Sequence, residues 1–283
     1  MSQKFIDLHV HTTCSDGTLS PEEIVQLAVK EGIEILAITD HDNVSGIRRA
    51  EKEAEKYGIT IIPGIECSTT FKKGNRHILG FNINPESEVI KQYVEEFKQN
   101  RIEKIQKILK KLNLLGFEIS FEDVQKFSPT GSMGRPHIAQ AMVEKGYVNS
   151  TEEAFKLYIG KGCPAYATGK YTTPEEVINV IKAAGGIPVL AHPFQMKFET
   201  LDDLLAEIKR LVELGVEGIE CIYSEQDNEQ NYSLLVFALD NNLYITCGSD
   251  FHGNNKSIEF GKCYFNKQKV IIDNLKKMGK TFI

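Results

Sequence analysis

Phe5-Ile6-Asp7-Leu8-His9-Val10-His11 reads as an apolar strand running into a polar end, and period-two alternation puts His9 and His11 on one face with Asp7 beside them. Four further segments repeat the theme: Thr39-Asp40-His41-Asp42, Arg76-His77-Ile78, Ala191-His192-Pro193 and Ser249-Asp250-Phe251-His252. Six of the seven histidines thus stand where a buried strand is expected to give way to a loop. Neutral imidazoles and carboxylates are the side chains that hold borderline divalent metals. A lone His-x-His is a weak signal, because polar residues are common at strand ends. The set is stronger: six histidines with Asp16, Glu66 and Asp250 exceed the needs of one ion and suit two or three ions sharing bridging groups. The pattern points to a multinuclear metallohydrolase.

Outward from this segment, short apolar runs alternate with helical patterns. Strands are expected over 5–10, 33–38 and 59–62, with helices over 20–31 and 44–57 between them. Ser20-Pro21-Glu22-Glu23 marks a helix start, with Ser as cap, Pro at the first helical position and Glu23 completing a capping box; Thr173-Pro174-Glu175-Glu176 repeats it. After it, strands over 187–191, 216–222 and 243–247 alternate with helices over 202–214 and 228–241. Residues 86–168 break the rhythm, with helical patterns at 88–115, 121–127, 135–145 and 151–159 and no convincing strand. The expected organisation is a barrel of residues 1–85 and 169–283 with a helical insertion over 86–168. In a barrel of parallel strands functional groups collect at the carboxyl ends, where the proposed ligands fall, so the fold expected is α/β, a distorted (β/α) barrel.

With 283 residues, 41% hydrophobic and 25% charged, the chain can bury a full core. A net charge of −6 supplies no basic footprint for long duplex nucleic acid. Two or three bound cations would outweigh Asp16, Glu66 and Asp250 and make a cationic pocket in an acidic protein, for which phosphate is the natural guest. The opening residues Met1-Ser2-Gln3-Lys4-Phe5 carry no basic and apolar leader, and no apolar run reaches the roughly 18 residues of a membrane span, so a cytoplasmic protein without a membrane partner is expected. The six cysteines show no C-x-x-C pairing and read as reduced, mostly buried thiols.

The motif order adds more. Asp7-Leu8-His9-Val10-His11 with Cys14-Ser15-Asp16-Gly17, then Thr39-Asp40-His41-Asp42, Pro63-Gly64-Ile65-Glu66, His77-Ile78-Leu79-Gly80, Ala191-His192-Pro193 and Gly248-Ser249-Asp250-Phe251-His252 closely resemble the polymerase-and-histidinol-phosphatase (PHP) family, over about residues 5–81 and 185–265. The resemblance implies a distorted (β/α)7 barrel and a trinuclear metal cluster. In it His9, His11, Glu66 and Asp250 would hold a first ion, Asp16, His41 and His252 a second, and Glu66, His77 and His192 a third, with Glu66 bridging. Asp16 stands where some members carry His, which favours harder Mn²⁺ or Mg²⁺ over Zn²⁺ there.

Gly134-Arg135-Pro136-His137-Ile138-Ala139 and Gly160-Lys161-Gly162-Cys163-Pro164-Ala165-Tyr166 resemble the stand-alone PHP phosphoesterases that include nucleoside 3′,5′-bisphosphate phosphatases and 5′→3′ exoribonucleases, in which the insertion covers the metal site. Arg135 offers a planar fork for phosphate and His137 a proton donor, near a helix start favourable to anions. The activity expected is hydrolysis of phosphomonoesters of small nucleotides, and of the 5′ ends of short single-stranded RNA, with a metal-activated water as nucleophile and two to three divalent ions (Mn, Fe, Zn or Mg) as cofactors. The competing readings are a histidinol-phosphate phosphatase, against which the Arg135–His137 insertion argues, and a non-catalytic metal-stabilised PHP module, which would be expected to have lost ligands. Asp40 and Asp42 read equally as ligand-orienting groups or loop caps, and Glu220, in Gly218-Ile219-Glu220-Cys221, also ends a strand and is a candidate to face the pocket, with its role open.

Overall fold

The computed structural model describes residues 5–70, 76–127, 133–169, 172–261, 263 and 273; residues 1–4, read above for a leader, lie outside them. The chain forms two compact units, Met1–Gln92 with Thr172–Ile283, and Tyr93–Tyr171. In chain order the elements are β1 (Phe5–Asp7), α1 (Pro21–Glu31), β2 (Ile33–Ile38), α2 (Ile47–Ala54), β3 (Thr60–Thr69), β4 (Arg76–Phe81), α3 (Glu88–Leu114), α4 (Phe121–Gln125), α5 (Arg135–Glu144) and α6 (Thr151–Ala154). They continue with α7 (Pro174–Ala183), β5 (Ile187–Leu190), α8 (Leu201–Glu213), β6 (Gly218–Tyr223), α9 (Asn228–Asp240) and β7 (Tyr244–Gly248).

The seven strands lie side by side in sequence order, β1 to β7. Backbone bonds from Leu8 N–H to the Cys247 carbonyl (3.1 Å) and from Asp250 N–H to the His9 carbonyl (2.8 Å) tie the first strand's end to the last, and Val10 bridges Phe251 in parallel. The result is the expected distorted, nearly closed seven-stranded barrel. It departs from a fully parallel sheet at β4, which pairs antiparallel with both β3 and β5. Thr69 and Arg76 are too close in sequence for a helical crossover, so the chain must return as an antiparallel neighbour. His77 therefore begins its strand instead of ending it. Because β4 runs backwards, its first residues lie at the same end of the barrel as the carboxyl ends of its neighbours, and His77 still joins them.

β3 runs well past the expected 59–62 and carries Glu66 inside it. Pro63 and Gly64 look like breakers, but Pro63 is aligned with Ile38 of β2 and Gly64 lets that strand approach closely. A Cβ at Gly64 would stand 2.9 Å from the Ile38 carbonyl oxygen and 2.8 Å from Thr39 Cγ2. Apolar residues dominate the barrel strands, with Ile6, Ile35, Leu36, Ile62, Ile65, Val189, Ile219 and Ile245 buried. Strands buried on both faces need such continuous apolar runs.

Helix starts follow the capping grammar. Ser20 Oγ accepts from the Glu23 N–H at 3.3 Å while Glu23 Oε2 accepts from the Ser20 N–H at 2.8 Å, and Gly32 closes α1 in a left-handed conformation (φ 73°). Thr173 and Glu176 form the same box on α7. The second unit is helical among its described residues, with its own core: Ile105, Ile108, Leu109 and Leu112 line one stripe of α3 and pack with Val124, Ile138 and Met142.

The capping box yields a direct expectation. Ser20→Ala removes the acceptor for an otherwise orphaned helix-start N–H and should destabilise the barrel by about 1 kcal/mol. A lowered urea midpoint with an unchanged slope is the expected result, and an unchanged midpoint would show that Glu23 and water suffice.

Candidate metal centre

Nine side chains from six places in the sequence meet at one end of the barrel. β1 delivers His9 and His11, both fully buried, through a loop braced by Asp7, whose Oδ1 accepts from the N–H groups of His9 (3.3 Å) and Ser249 (2.9 Å). Asp7 Oδ2 accepts from Gly261 N–H at 3.0 Å, and burial pushes the Asp7 carboxyl up to about 6. β3 supplies Glu66 from its interior, and β4 supplies His77 from its start. His192, Asp250 and His252 follow β5 and β7. His41 follows β2 and forms an isolated parallel bridge with Glu66.

Glu66 is the hub. Its Oε2 lies 3.3 Å from His9 Nε2, 3.1 Å from His11 Nε2 and 3.0 Å from His41 Nδ1. Its Oε1 lies 2.8 Å from His77 Nδ1 and 3.0 Å from His192 Nε2, and these two nitrogens are 3.3 Å apart. Asp250 Oδ1 stands 3.1 Å from His11 Nε2 and 3.5 Å from His9 Nε2. At the outer edge Asp16, with a side chain 45% exposed, approaches His252 Nε2 at 3.2 Å and His41 Nε2 at 3.9 Å.

Three donor sets emerge within which one ligand atom per residue lies within 4.8 Å of the others: His9, His11, Glu66 and Asp250; His11, Asp16, His41 and His252; and His41, Glu66 and His77. His192 belongs by distance with Glu66 and His77. No thiol enters these sets, and no disulfide forms among the described residues. This donor chemistry, imidazole with carboxylate, suits borderline divalent ions.

The fit can be tested on the polar atoms themselves. His9 Nε2, His11 Nε2, His41 Nδ1, Glu66 Oε2, His192 Nδ1 and Asp250 Oδ1 are buried and make no hydrogen bond. Buried polar atoms are nearly always satisfied, so a cluster of orphans demands an explanation. All but His192 Nδ1 face one another across the centre, an arrangement that suits divalent ions.

Charge tells the same story. Burial alone would push the Glu66 carboxyl up, but His41, His77 and His9 beside it hold it well below the ordinary range. Burial likewise opposes ionisation of Asp250 and Asp16, and neighbouring histidines keep both lowered. In return, burial disfavours the imidazolium at His11 but the Asp250 and Glu66 carboxylates raise its pKa to about 9. His9 is also raised, against its burial, by Glu220, Glu66 and Asp250. At His77 and His252 burial wins and the pKa falls.

Support comes from residues with little or no sequence signal. Asp40 accepts from Thr12 N–H (2.7 Å), Thr12 Oγ1 (2.7 Å) and Ser15 Oγ (2.6 Å), and Ser15 Oγ lies 3.4 Å from His11 Nδ1, so Asp40 braces the loop that carries His11. Asp42 accepts from the Ser68 N–H and hydroxyl, both at 2.9 Å, and fastens the His41 loop to β3. Tyr223 and Lys256 both donate to the outer oxygen of Asp250, at 3.0 and 2.6 Å, which leaves Oδ1 directed at the histidines. Glu220, inside β6, contacts His9 Nδ1 at 2.9 Å and the His192 N–H at 2.7 Å. The sequence offered it as a carboxylate at a strand end that could face the pocket, and the structure places it inside β6; Tyr223 and Lys256 had no such signal.

Arg135 and His137 stand in the second unit at the first turn of α5. The Arg135 guanidinium lies over the rings of Phe155 (5.6 Å) and Tyr166 (5.5 Å) and donates to the Ile159 carbonyl at 3.4 Å. His137 Nδ1 accepts from the Gly134 N–H at 2.9 Å, which places the ring proton of the neutral imidazole on Nε2.

The chain is similar to known proteins over most of its length. The PHP domain model matches residues 7–247. The chain is 33% identical over 264 residues to a 5′-3′ exoribonuclease of Haemophilus influenzae, covering 93% of this chain and 94% of that protein. It is 28% identical over 250 residues to a 3′,5′-nucleoside bisphosphate phosphatase of Chromobacterium violaceum, covering 87% of each. A solved structure from Bifidobacterium adolescentis, assigned as a metal-dependent phosphoesterase, superposes with a TM-score of 0.79 at 28% identity over 97% of this chain and 96% of that one. No helix among the described residues is long and apolar enough to cross a membrane. With its seven-stranded barrel, its imidazole–carboxylate centre and a family match across most of its length, the chain belongs to the PHP domain family and is a metal-dependent phosphoesterase.

Proposed function

We propose that this protein removes phosphate from small nucleotides, with 3′,5′-bisphosphates as preferred substrates and the 5′ end of short single-stranded RNA as a second. The convergence of orphaned buried ligand atoms on Glu66 carries the phosphoesterase reading. The nucleotide and RNA substrates named for two relatives that align over most of the chain support the substrate class. Net acidity supports small or single-stranded ligands over long duplexes.

In this reading His9, His11, Glu66 and Asp250 hold one divalent ion, Asp16, His41 and His252 a second, and Glu66, His77 and His192 a third. The donor types suit Mn²⁺, Fe²⁺ or Zn²⁺, with Asp16 favouring a harder Mn²⁺ or Mg²⁺ at the second position. When bound, such ions supply Lewis acidity and a water nucleophile whose pKa falls from about 15.7 toward about 7. The protein contributes the rest. Tyr223 and Lys256 keep Asp250 Oδ1 turned inward, and Asp40 through Ser15 steadies the loop that presents His11. In the same reading Arg135 of the helical insertion binds a substrate phosphate through its fork, whose plane is held by two aromatic rings. His137 donates from Nε2 to a phosphoryl oxygen.

A panel of 3′,5′-bisphosphates, histidinol phosphate, 5′-phosphorylated short RNAs and an aryl phosphate, run with Mn²⁺, tests the substrate class. The bisphosphates should lead, and histidinol phosphate in the lead would overturn the reading. Arg135→Ala should keep metal and fold yet lose about 1.5–3 kcal/mol of transition-state binding for the nucleotides. Aryl phosphates should lose less, because they lack a second phosphate; unchanged kcat/KM on both classes removes Arg135 from the site.

Glu66→Gln should reduce turnover further than Asp16→Asn at saturating Mn²⁺, since Glu66 serves two ions and Asp16 one. Near-normal turnover in Glu66→Gln with an inactive Asp16→Asn reverses the ligand map.

Proton competition fixes a pH dependence. His11 has an ordinary pKa of 6.5 and a folded, metal-free pKa of about 9. Its contribution to metal-free stability is therefore full below 6.5 and lost as pH rises through 9. Metal uptake displaces that proton, so apparent affinity should rise over the same window, up to about tenfold per pH unit for each proton released. Chelator competition between pH 6.5 and 9 reads this directly, and an affinity that stays flat or falls contradicts it.

A further inference from the structure

Glu220 has no solvent exposure and is a member of none of the three donor sets. Its carboxylate nevertheless touches His9, a member of one set, and the backbone of His192, which lies beside His77. Oε1 lies 2.9 Å from His9 Nδ1, on the opposite side of the ring from Nε2, the atom that faces Glu66 and Asp250. Oε2 accepts the His192 backbone N–H at 2.7 Å. His9 belongs with His11 and Asp250, whereas His192 lies beside His77. One buried carboxylate thus spans elements that arrive from β1 and from β5.

Two further features show that the fold is shaped around this contact. The register of β6 against β7 shifts between Glu220 and Ile222, and a bulge of this kind re-aims a side chain. At Gly248 a Cβ would stand 2.6 Å from Glu220 Oε1 and closer still to His9 Cβ, so only glycine leaves room for the pair. The backbone at His192 is strained, with φ 26° and ψ 64°, a conformation that a non-glycine residue keeps only when its surroundings hold it. The Glu220 bond to its N–H is such a restraint.

We infer that Glu220 is a positioning residue for the metal centre: it holds the His9 ring with its proton on Nδ1 and its Nε2 lone pair inward, and it clamps the His192 peptide so that both imidazoles are aimed at Glu66. A ligating histidine whose other nitrogen donates to a carboxylate is oriented and made more basic, and loss of such a partner weakens metal binding about ten- to hundredfold. Asp7 differs, because it accepts from the backbone N–H groups of His9, Ser249 and Gly261 and braces a loop.

The inference rests on the metal-site reading but not on the substrate, and its test uses zinc as a diamagnetic probe. Glu220→Gln is nearly isosteric but offers one acceptor and one donor. Its amide either presents N–H to His9 Nδ1, which forces the ring proton onto Nε2, or releases the His192 N–H. Chelator competition should show zinc held at least tenfold more weakly by Glu220→Gln, with unchanged circular dichroism. In the zinc-loaded wild type, long-range ¹⁵N–¹H spectra should show His9 protonated at Nδ1 and coordinated through Nε2, a signature that a merely structural glutamate would not set. Coordination through Nδ1, or wild-type zinc affinity in a folded Glu220→Gln, overturns the inference. The wild-type spectrum decides alone if the variant fails to fold, and a wild type that takes up no zinc removes the metal reading and this inference with it.

Discussion

A carboxylate with no solvent exposure sits within 3.3 Å of five imidazoles, and the barrel is organised around that contact. An ionised Glu66 in a low-dielectric interior is tolerable only if positive charge or hydrogen-bond donors surround it. Histidines alone meet that need partially, since several of their inward nitrogens and one Glu66 oxygen stay unsatisfied. Divalent ions complete it. The cluster is therefore a poor structural core and a good cation site, intelligible through chemistry at phosphorus.

The supporting shell converts a cluster into a site. Three residues that this shell holds, Asp42, His192 and Asp250, have positive φ values of 49°, 26° and 58° without being glycine. Strain of this kind persists where surroundings over-determine the backbone. Here those surroundings are Ser68 on Asp42, Glu220 on His192, and Tyr223 with Lys256 on Asp250. Each restrains a loop that follows a strand, where the polypeptide has left the sheet ladder and would otherwise be free to turn its side chain outward.

Much of this was legible in the chain. His9, His11, Asp16, His41, Glu66, His77, His192, Asp250 and His252 stood out as candidates because imidazole and carboxylate are the groups competent to hold metal and because a barrel gathers residues at its strand ends. The capping boxes at Ser20 and Thr173 were readable since they depend on three-residue spacing alone. β4 was harder, because a short apolar run has no mark of direction. β3 was harder still, because Pro63 and Gly64 carry turn propensity that the approach of β2 overrides.

What the sequence by itself determined was the chemistry: which side chains are competent to hold metal, which runs are strands or helices, and which family they match. Those properties are local, written in residue type and in periods of two or 3.6. Only the tertiary structure decided which nitrogen of each histidine faces inward, which carboxylate is hub and which is brace, and that a backward strand still brings His77 to the centre. Contacts such as His9 with Glu220 join residues far apart in the chain. Their distances and the orientation of each ring depend on strand register, a bulge and the room left by one glycine, and none of these has a local sequence code.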